Sequence, residues 1–216
     1  MSSTELSRAK IAALTAPTTD LGLCHLEGSE WPEQGSWTWE DHQRLPDDGL
    51  RYEILGGVLY VSPAPSFNHQ FSATELIRQL ANFVRERGLG LVLAAPFDIR
   101  LSEAADPVEP DIVVFRTGNT PRPGDKHFVG VPDLLVEVLS PGSRSHDLGV
   151  KLRAYESAGV PEYWVVDPES RTVTVHVLDD ACYGELGTFG AGEWVRSREL
   201  EGFDGEVASF FVTLEG

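Results

Sequence analysis

Asp111 in "EPDIVVF" and Glu137 in "PDLLVEVLS" are carboxylates set inside runs that otherwise read as buried strands. A buried carboxylate without a partner costs several kcal/mol, so such a group takes up a proton, pairs with a cation or binds a metal. Two of them in successive apolar strands could form a hard-oxygen pair of the kind that holds Mg²⁺ or Mn²⁺ together with water and a phosphate. Each acid taken alone also fits a strand end, exposed to water or paired with an arginine. Residue types leave the two readings evenly matched for the pair.

Side chains alternate along a strand, so Leu135, Glu137 and Leu139 share one face. In the D…(D/E)-x-K arrangement of many metal-dependent nucleases, a lysine would stand where this chain has Leu139. The next lysine is Lys151, on the helix expected over "SHDLGVKLRAYESAG". With a short connection, the first turn of that helix lies near the carboxyl end of the strand, and a lysine stem can reach back from the second turn. The competing reading is an i, i+4 salt bridge from Asp147 to Lys151, worth a few tenths of a kcal/mol. Spacing does not choose between them.

Positioning these groups requires a framework. "SWTWEDHQRLPDD" carries a helix-start signal, with Ser36 or Thr38 as the cap and Asp41 three residues beyond Thr38. "RYEIL" and "VLYVSP" flank Gly56-Gly57, a two-residue hairpin signal. "SFNHQFSATELIRQLANFVRERG" has Ile77, Leu80, Phe83 and Val84 at helical spacing, Ser66 or Asn68 as cap and Gly88 as stop. Strands are expected over "LGLVLAAPFDIRL", "VEPDIVVF" and "PDLLVEVLS", the last two apolar on both faces as in a covered central sheet. Leu148, Leu152 and Tyr155 mark the apolar side of the following helix, with Gly159 as its cap. "PEYWVVD" and "RTVTVHVL" form a strand pair around "PESR", and further strands are expected near Trp194–Arg198 and Val207–Val212. Residues 1–35 are weakly patterned and read as an extension, with a short helix near Glu5–Leu14.

The 216 residues suit one sizeable domain, and 41% hydrophobic with 24% charged residues is ordinary for a soluble protein. No apolar run is long enough to span a bilayer, no secretory signal opens the chain, and Cys24 and Cys182 make neither a metal spacing nor a disulfide framework. A cytoplasmic protein without membrane contact is the expectation. The formal charge of −17 counts against tight nonspecific DNA binding while leaving room for a locally positive cleft. Arg78, Arg85 and Arg87 read as a solvated helix face.

"YEILGGVLYVSP", "EPDIVVF" and "PDLLVEVLSPGSRSHDLGVKLRAYESAGVPEYWVVDP" together resemble the Uma-two family of bacterial restriction endonucleases, within the PD-(D/E)XK nuclease superfamily. The resemblance covers about residues 36–180. It implies an α/β restriction-endonuclease-like core, a four-stranded central mixed β-sheet flanked by helices with the acidic site at one sheet end. The chain then divides into an N-terminal extension, 1–35, and a single nuclease-like domain, 36–216, with extra C-terminal strands. By the same resemblance Asp111 and Glu137 match the two metal-binding acids. Lys151 matches a lysine moved from the strand to the next helix, and Glu53 matches an acid that contributes to the metal shell. His69 and Asp98 are further candidates, which a helix start and a polar strand face explain nearly as well. Ser140 and Asp147 are expected to shape the loop and cap the helix, and Tyr155, Tyr163 and Trp164 to fill the core. The implied activity is Mg²⁺- or Mn²⁺-dependent hydrolysis of DNA by a homodimer. Two alternatives stand beside it: an inactive binding or scaffold protein that keeps the fold, and hydrolysis of another phosphate ester.

Overall fold

The computed structural model describes residues 31–46, 50–62, 64–103, 105–140, 143–144 and 146–212, so the expected helix at Glu5–Leu14 and Cys24 lie outside the described residues. A short helix, α1 (Trp39–His42), opens the described chain. Thr38 and Asp41 form a reciprocal capping box there, so of the two proposed caps Thr38 serves. The hairpin β1 (Arg51–Leu55) and β2 (Val58–Ser62) turns at Gly56-Gly57, both with positive φ. Gly57 is required twice over: its φ is +73°, and a Cβ there would meet the Gly35 carbonyl oxygen at 2.5 Å. Trp31 stacks on Trp37, and both pack near Tyr52, Ile54 and Leu59, closing a small apolar cluster on the hairpin.

Helix α2 (Phe67–Glu86) begins at Ser66, whose hydroxyl accepts from the His69 amide. Then come β3 (Gly90–Ala94), β4 (Asp98–Arg100), β5 (Pro107–Val108), β6 (Ile112–Arg116), β7 (His127–Val129) and β8 (Leu134–Val138). A wide, π-type turn, His146–Lys151, leads into α3 (Leu152–Ala158), which Gly159 ends at φ +83°. The remainder comprises β9 (Glu162–Asp167), β10 (Thr172–Asp179), β11 (Cys182–Phe189), β12 (Trp194–Arg196), β13 (Asp204–Glu206) and a 3₁₀ turn, Val207–Phe210.

The central sheet has six strands in the order β11-β10-β9-β8-β6-β3, not four. Only β8 and β9 run parallel, joined by the π-type turn and α3; the other neighbours are antiparallel, so the sheet is mixed. Alternation divides its core in two. Ile112, Val114, Val136, Val138, Trp164 and Val166 face α2 and the C-terminal segment, where Phe203 and Phe210 join them. Val113, Phe115, Leu135, Leu139, Tyr163 and Val165 face the side of Tyr155 and β4.

Three further expectations are corrected. The single strand expected over "LGLVLAAPFDIRL" is two, because the chain turns at Ala95-Pro96 and β4 enters a separate three-stranded sheet with β5 and β7. "VEPDIVVF" is likewise broken at Pro110, so Asp111 stands just ahead of β6 rather than within it. The strand expected at Val207–Val212 is the 3₁₀ turn, and β12 pairs with β13 instead. Among the described residues no helix is long and apolar enough to cross a membrane.

Candidate functional site

The two acids come together through sheet register. The last paired residues of β6 and β8 are Ile112 and Val136, and one step further Asp111 lies opposite Glu137. Glu137 lies on the sheet face that packs towards Tyr155, and both acids line a cavity of about 160 Å³ with Arg51, Glu53, His69, His146, Asp147 and Lys151. Glu53, Asp111, Glu137, Asp147 and Lys151 are each at most 4% exposed. Such burial is tolerable only because the charges are paired.

Lys151 is the centre of one half. Its Nζ lies 2.8 Å from Glu137 Oε1, 2.9 Å from Glu53 Oε1 and 3.6 Å from Asp147 Oδ1. The i, i+4 pair with Asp147 and the reach back to β8 therefore coexist. Tyr155, expected as a core aromatic, also donates its hydroxyl to Glu137 Oε1 at 2.8 Å. Burial alone would lower the Lys151 pKa, but Glu137, Glu53 and Asp147 outweigh it and hold the ammonium protonated. Burial, which Lys151 only partly offsets, pushes Glu137 well above the ordinary carboxylate range. Glu53 goes the other way: burial would raise it, yet Lys151, Arg51 and the Glu109 amide, which donates at 2.8 Å, bring it below its ordinary value.

Asp111 is the centre of the other half. Arg51 Nη2 donates to Oδ1 at 2.7 Å, while Oδ2 receives the Val138 amide at 2.8 Å and lies 3.1 Å from His69 Nε2. Burial opposes ionisation here, but the His69 contact and the Arg51 charge prevail, and the carboxylate stays ionised far below its usual range. Arg51 also donates from Nε to Glu109 at 2.8 Å. Burial raises Glu109 to about 6 despite that contact.

The structure thus gathers Glu53, His69, Asp111, Glu137 and Lys151 around one cavity. Asp98 stands apart on β4 and does not line it; burial raises its pKa against the nearby His42 and His127. Ser140 hydrogen-bonds Ser143 in the loop, as expected of a loop-shaping residue. Arg51 went unforeseen because an arginine at a strand start resembles a surface group. Its position two before Glu53, on the same face of β1, was a usable signal.

His146 was also missed. It lines the cavity, its ring lies 4.0 Å from that of Tyr60, and neither ring nitrogen has a partner. Burial, reinforced by the Lys151 charge, lowers its pKa from 6.5 to about 4. Between those values the unfolded chain binds the proton and the folded one does not, so acidification through that window costs stability. Replacing His146 by phenylalanine should remove up to about 2 kcal/mol of that loss, allowing for partial exposure. Urea midpoints across the window for both proteins would show it; parallel pH profiles would refute it.

The donor set is all oxygen, and Asp111, Glu137 and Glu53 fit a hard divalent cation that keeps part of its water shell. Among the described residues, however, no three His, Cys, Asp or Glu side chains are already drawn together at a metal-ligating spacing. Their charge is spent instead on Arg51 and Lys151.

Comparison with known proteins agrees with this architecture. The family Uma2, described as "Putative restriction endonuclease", matches residues 39–208. A solved structure from Anabaena variabilis ATCC 29413, titled a putative nuclease belonging to DUF820, superposes with a TM-score of 0.70 at 19% identity, covering 81% of this chain and 97% of that one. That likeness speaks to the fold. No curated protein matches the chain in sequence.

Proposed function

The chain belongs to the Uma2 family of restriction-endonuclease-like nucleases, and from that premise we propose that it hydrolyses DNA phosphodiester bonds with Mg²⁺ or Mn²⁺. The observation that carries the proposal is the juxtaposition of Asp111, Glu137 and Glu53 with the buried Lys151 in one cavity. In this reading Asp111 and Glu137, aided by Glu53, hold the cation. When bound, the cation supplies Lewis-acid polarisation of the scissile phosphate and lowers the pKa of a water.

The chain's own residues do the rest. Lys151, kept protonated by its carboxylate neighbours, is no base; its ammonium orients a water and offsets negative charge building on the phosphate. Glu137 and Glu53 hold that ammonium in place from two sides. Tyr155 fixes Glu137 Oε1, and His69 and the Val138 amide fix Asp111 Oδ2, so the carboxylates are oriented before any ligand arrives. Residues 36–216 as one domain, and pairing of two copies to cut two strands, belong to the same proposal.

DNA cleavage with Mg²⁺ or Mn²⁺ by the wild type, Asp111→Asn and Glu137→Gln tests it. Each substitution should lower the rate by about 100-fold or more. Equal cleavage by all three would end the proposal. The charge of −17 favours a second reading, a nuclease fold retained as a binding or scaffold protein. Under that reading Mn²⁺ would not raise the melting temperature; under the first it would, and Asp111→Asn would abolish the rise.

A further inference from the structure

A cation that binds Asp111 meets a carboxylate already shared by three groups, one of them the positive charge of Arg51. Its Oδ2 already receives two groups, the Val138 amide and the His69 ring, while Oδ1 holds only Arg51. The backbone amide is fixed by the sheet, whereas the Arg51 side chain is 23% exposed, lines the cavity and is held a second time, through Nε, by Glu109. The group that can yield is therefore the Arg51 Nη2 contact. An arginine that lets go there stays leashed by Glu109 and keeps its Nη donors inside the cavity.

We propose that Arg51 is a built-in counter-ion that a divalent cation displaces from Asp111 Oδ1, and that the freed guanidinium edge then binds the phosphate of the nucleic acid. This rests on the metal-dependent reading above and adds to it a residue that links cation loading to substrate capture. A planar guanidinium suits the second task, because two parallel N–H groups match two phosphate oxygens. Lys151 does not share the role. It is held by three carboxylates and is 2% exposed, so its ammonium stays while the arginine edge turns.

The signature is an opposite effect on two ligands. Removing the competing charge-assisted hydrogen bond in Arg51→Met should tighten Mn²⁺ binding about ten- to a hundredfold by titration calorimetry. The same change should weaken binding of a short labelled DNA duplex, measured with non-cleaving Ca²⁺, by about tenfold or more. Arg51→Lys keeps the charge but lacks the planar pair of parallel N–H groups, and should fall between on both scales.

A merely structural Arg51 would loosen both ligands or neither, and that result overturns the proposal. Should either variant fail to fold, the wild type still decides. On titration with Mg²⁺, the Arg51 Nη signals should lose their hindered rotation in ¹⁵N spectra while Nε–H stays protected by Glu109. Unchanged Nη signals overturn the displacement. Absence of any Mn²⁺ binding by the wild type overturns the metal-dependent reading first, and this proposal with it. Mn²⁺ binding by the wild type with no gain in Arg51→Met overturns this proposal alone.

Discussion

Replacing Lys151 by methionine is expected to cost about 3–5 kcal/mol of stability, because it leaves buried carboxylates facing one another without a cation. Methionine keeps most of the packing volume, so the loss is electrostatic rather than a cavity effect. Glu53, Glu137 and Asp147 all lie within 3.6 Å of the Lys151 Nζ. Their pH response separates this cause from others. Without the ammonium, Glu53 loses the largest of the influences that hold it low, and Glu137 and Asp147, already raised by burial, rise further. The folded variant then binds more protons than its unfolded chain above the ordinary carboxylate range, so its stability falls as pH rises. Urea unfolding at about pH 5.5 and about pH 8 should show the deficit shrinking at the lower value. A deficit independent of pH would mean that the ammonium is not what makes the acids tolerable.

Glu162 should prove nearly as critical, although it lies outside the cavity. It is fully buried at the start of β9, and its Oε2 accepts from the Arg198 and Glu199 amides at 2.8 Å and from the Ser197 hydroxyl at 3.1 Å. The Trp164 indole donates to Oε1. This one carboxylate therefore ties the segment after β12 to the central sheet, and Leu200 and Phe203 just beyond it are part of the core on the α2 side. Glu162→Ala strands two backbone amides and an indole N–H, each costing about 1–3 kcal/mol when left unpaired. A total of about 3 kcal/mol or more is expected, with faster amide exchange concentrated between β12 and β13. Glu162→Gln keeps one acceptor oxygen and should lose much less. If alanine and glutamine behaved alike, the hydrogen bonds would not be what anchors the segment.

The parts that were legible in the sequence are those where pattern and environment agree. β6, β8 and β9 are short runs of β-branched and apolar residues, and they are the buried middle of the sheet. β11 was not foreseen because it is an edge strand, mostly exposed, with two glycines and no apolar alternation. The helix after β8 was foreseen with its inward side only partly right: Tyr155 is buried and Leu152 packs against the core, but Leu148 does not. Leu148 is 42% exposed, while Asp147, Lys151 and Tyr155, spaced by four, are the buried stripe. A hydrophobic search cannot find that stripe, since two of its three members, Asp147 and Lys151, are charged and only Tyr155 packs against the apolar core. Asp111 and Glu137 were visible because they stand within apolar runs of the sequence, while Glu53 came only from the family resemblance. Arg51 and His146 break nothing, and only the folded arrangement brings them to the cavity.

The burial of Lys151 also gives the molecule an internal clock. The chain has three lysines, Lys10, Lys126 and Lys151. Of the two within the described residues, Lys126 is exposed and Lys151 is 2% exposed. An amine-directed label will mark Lys126 at once and Lys151 only in molecules whose cleft has opened. The ratio of the two marks then times the opening of the acidic cavity, in the intact protein and without any engineered probe.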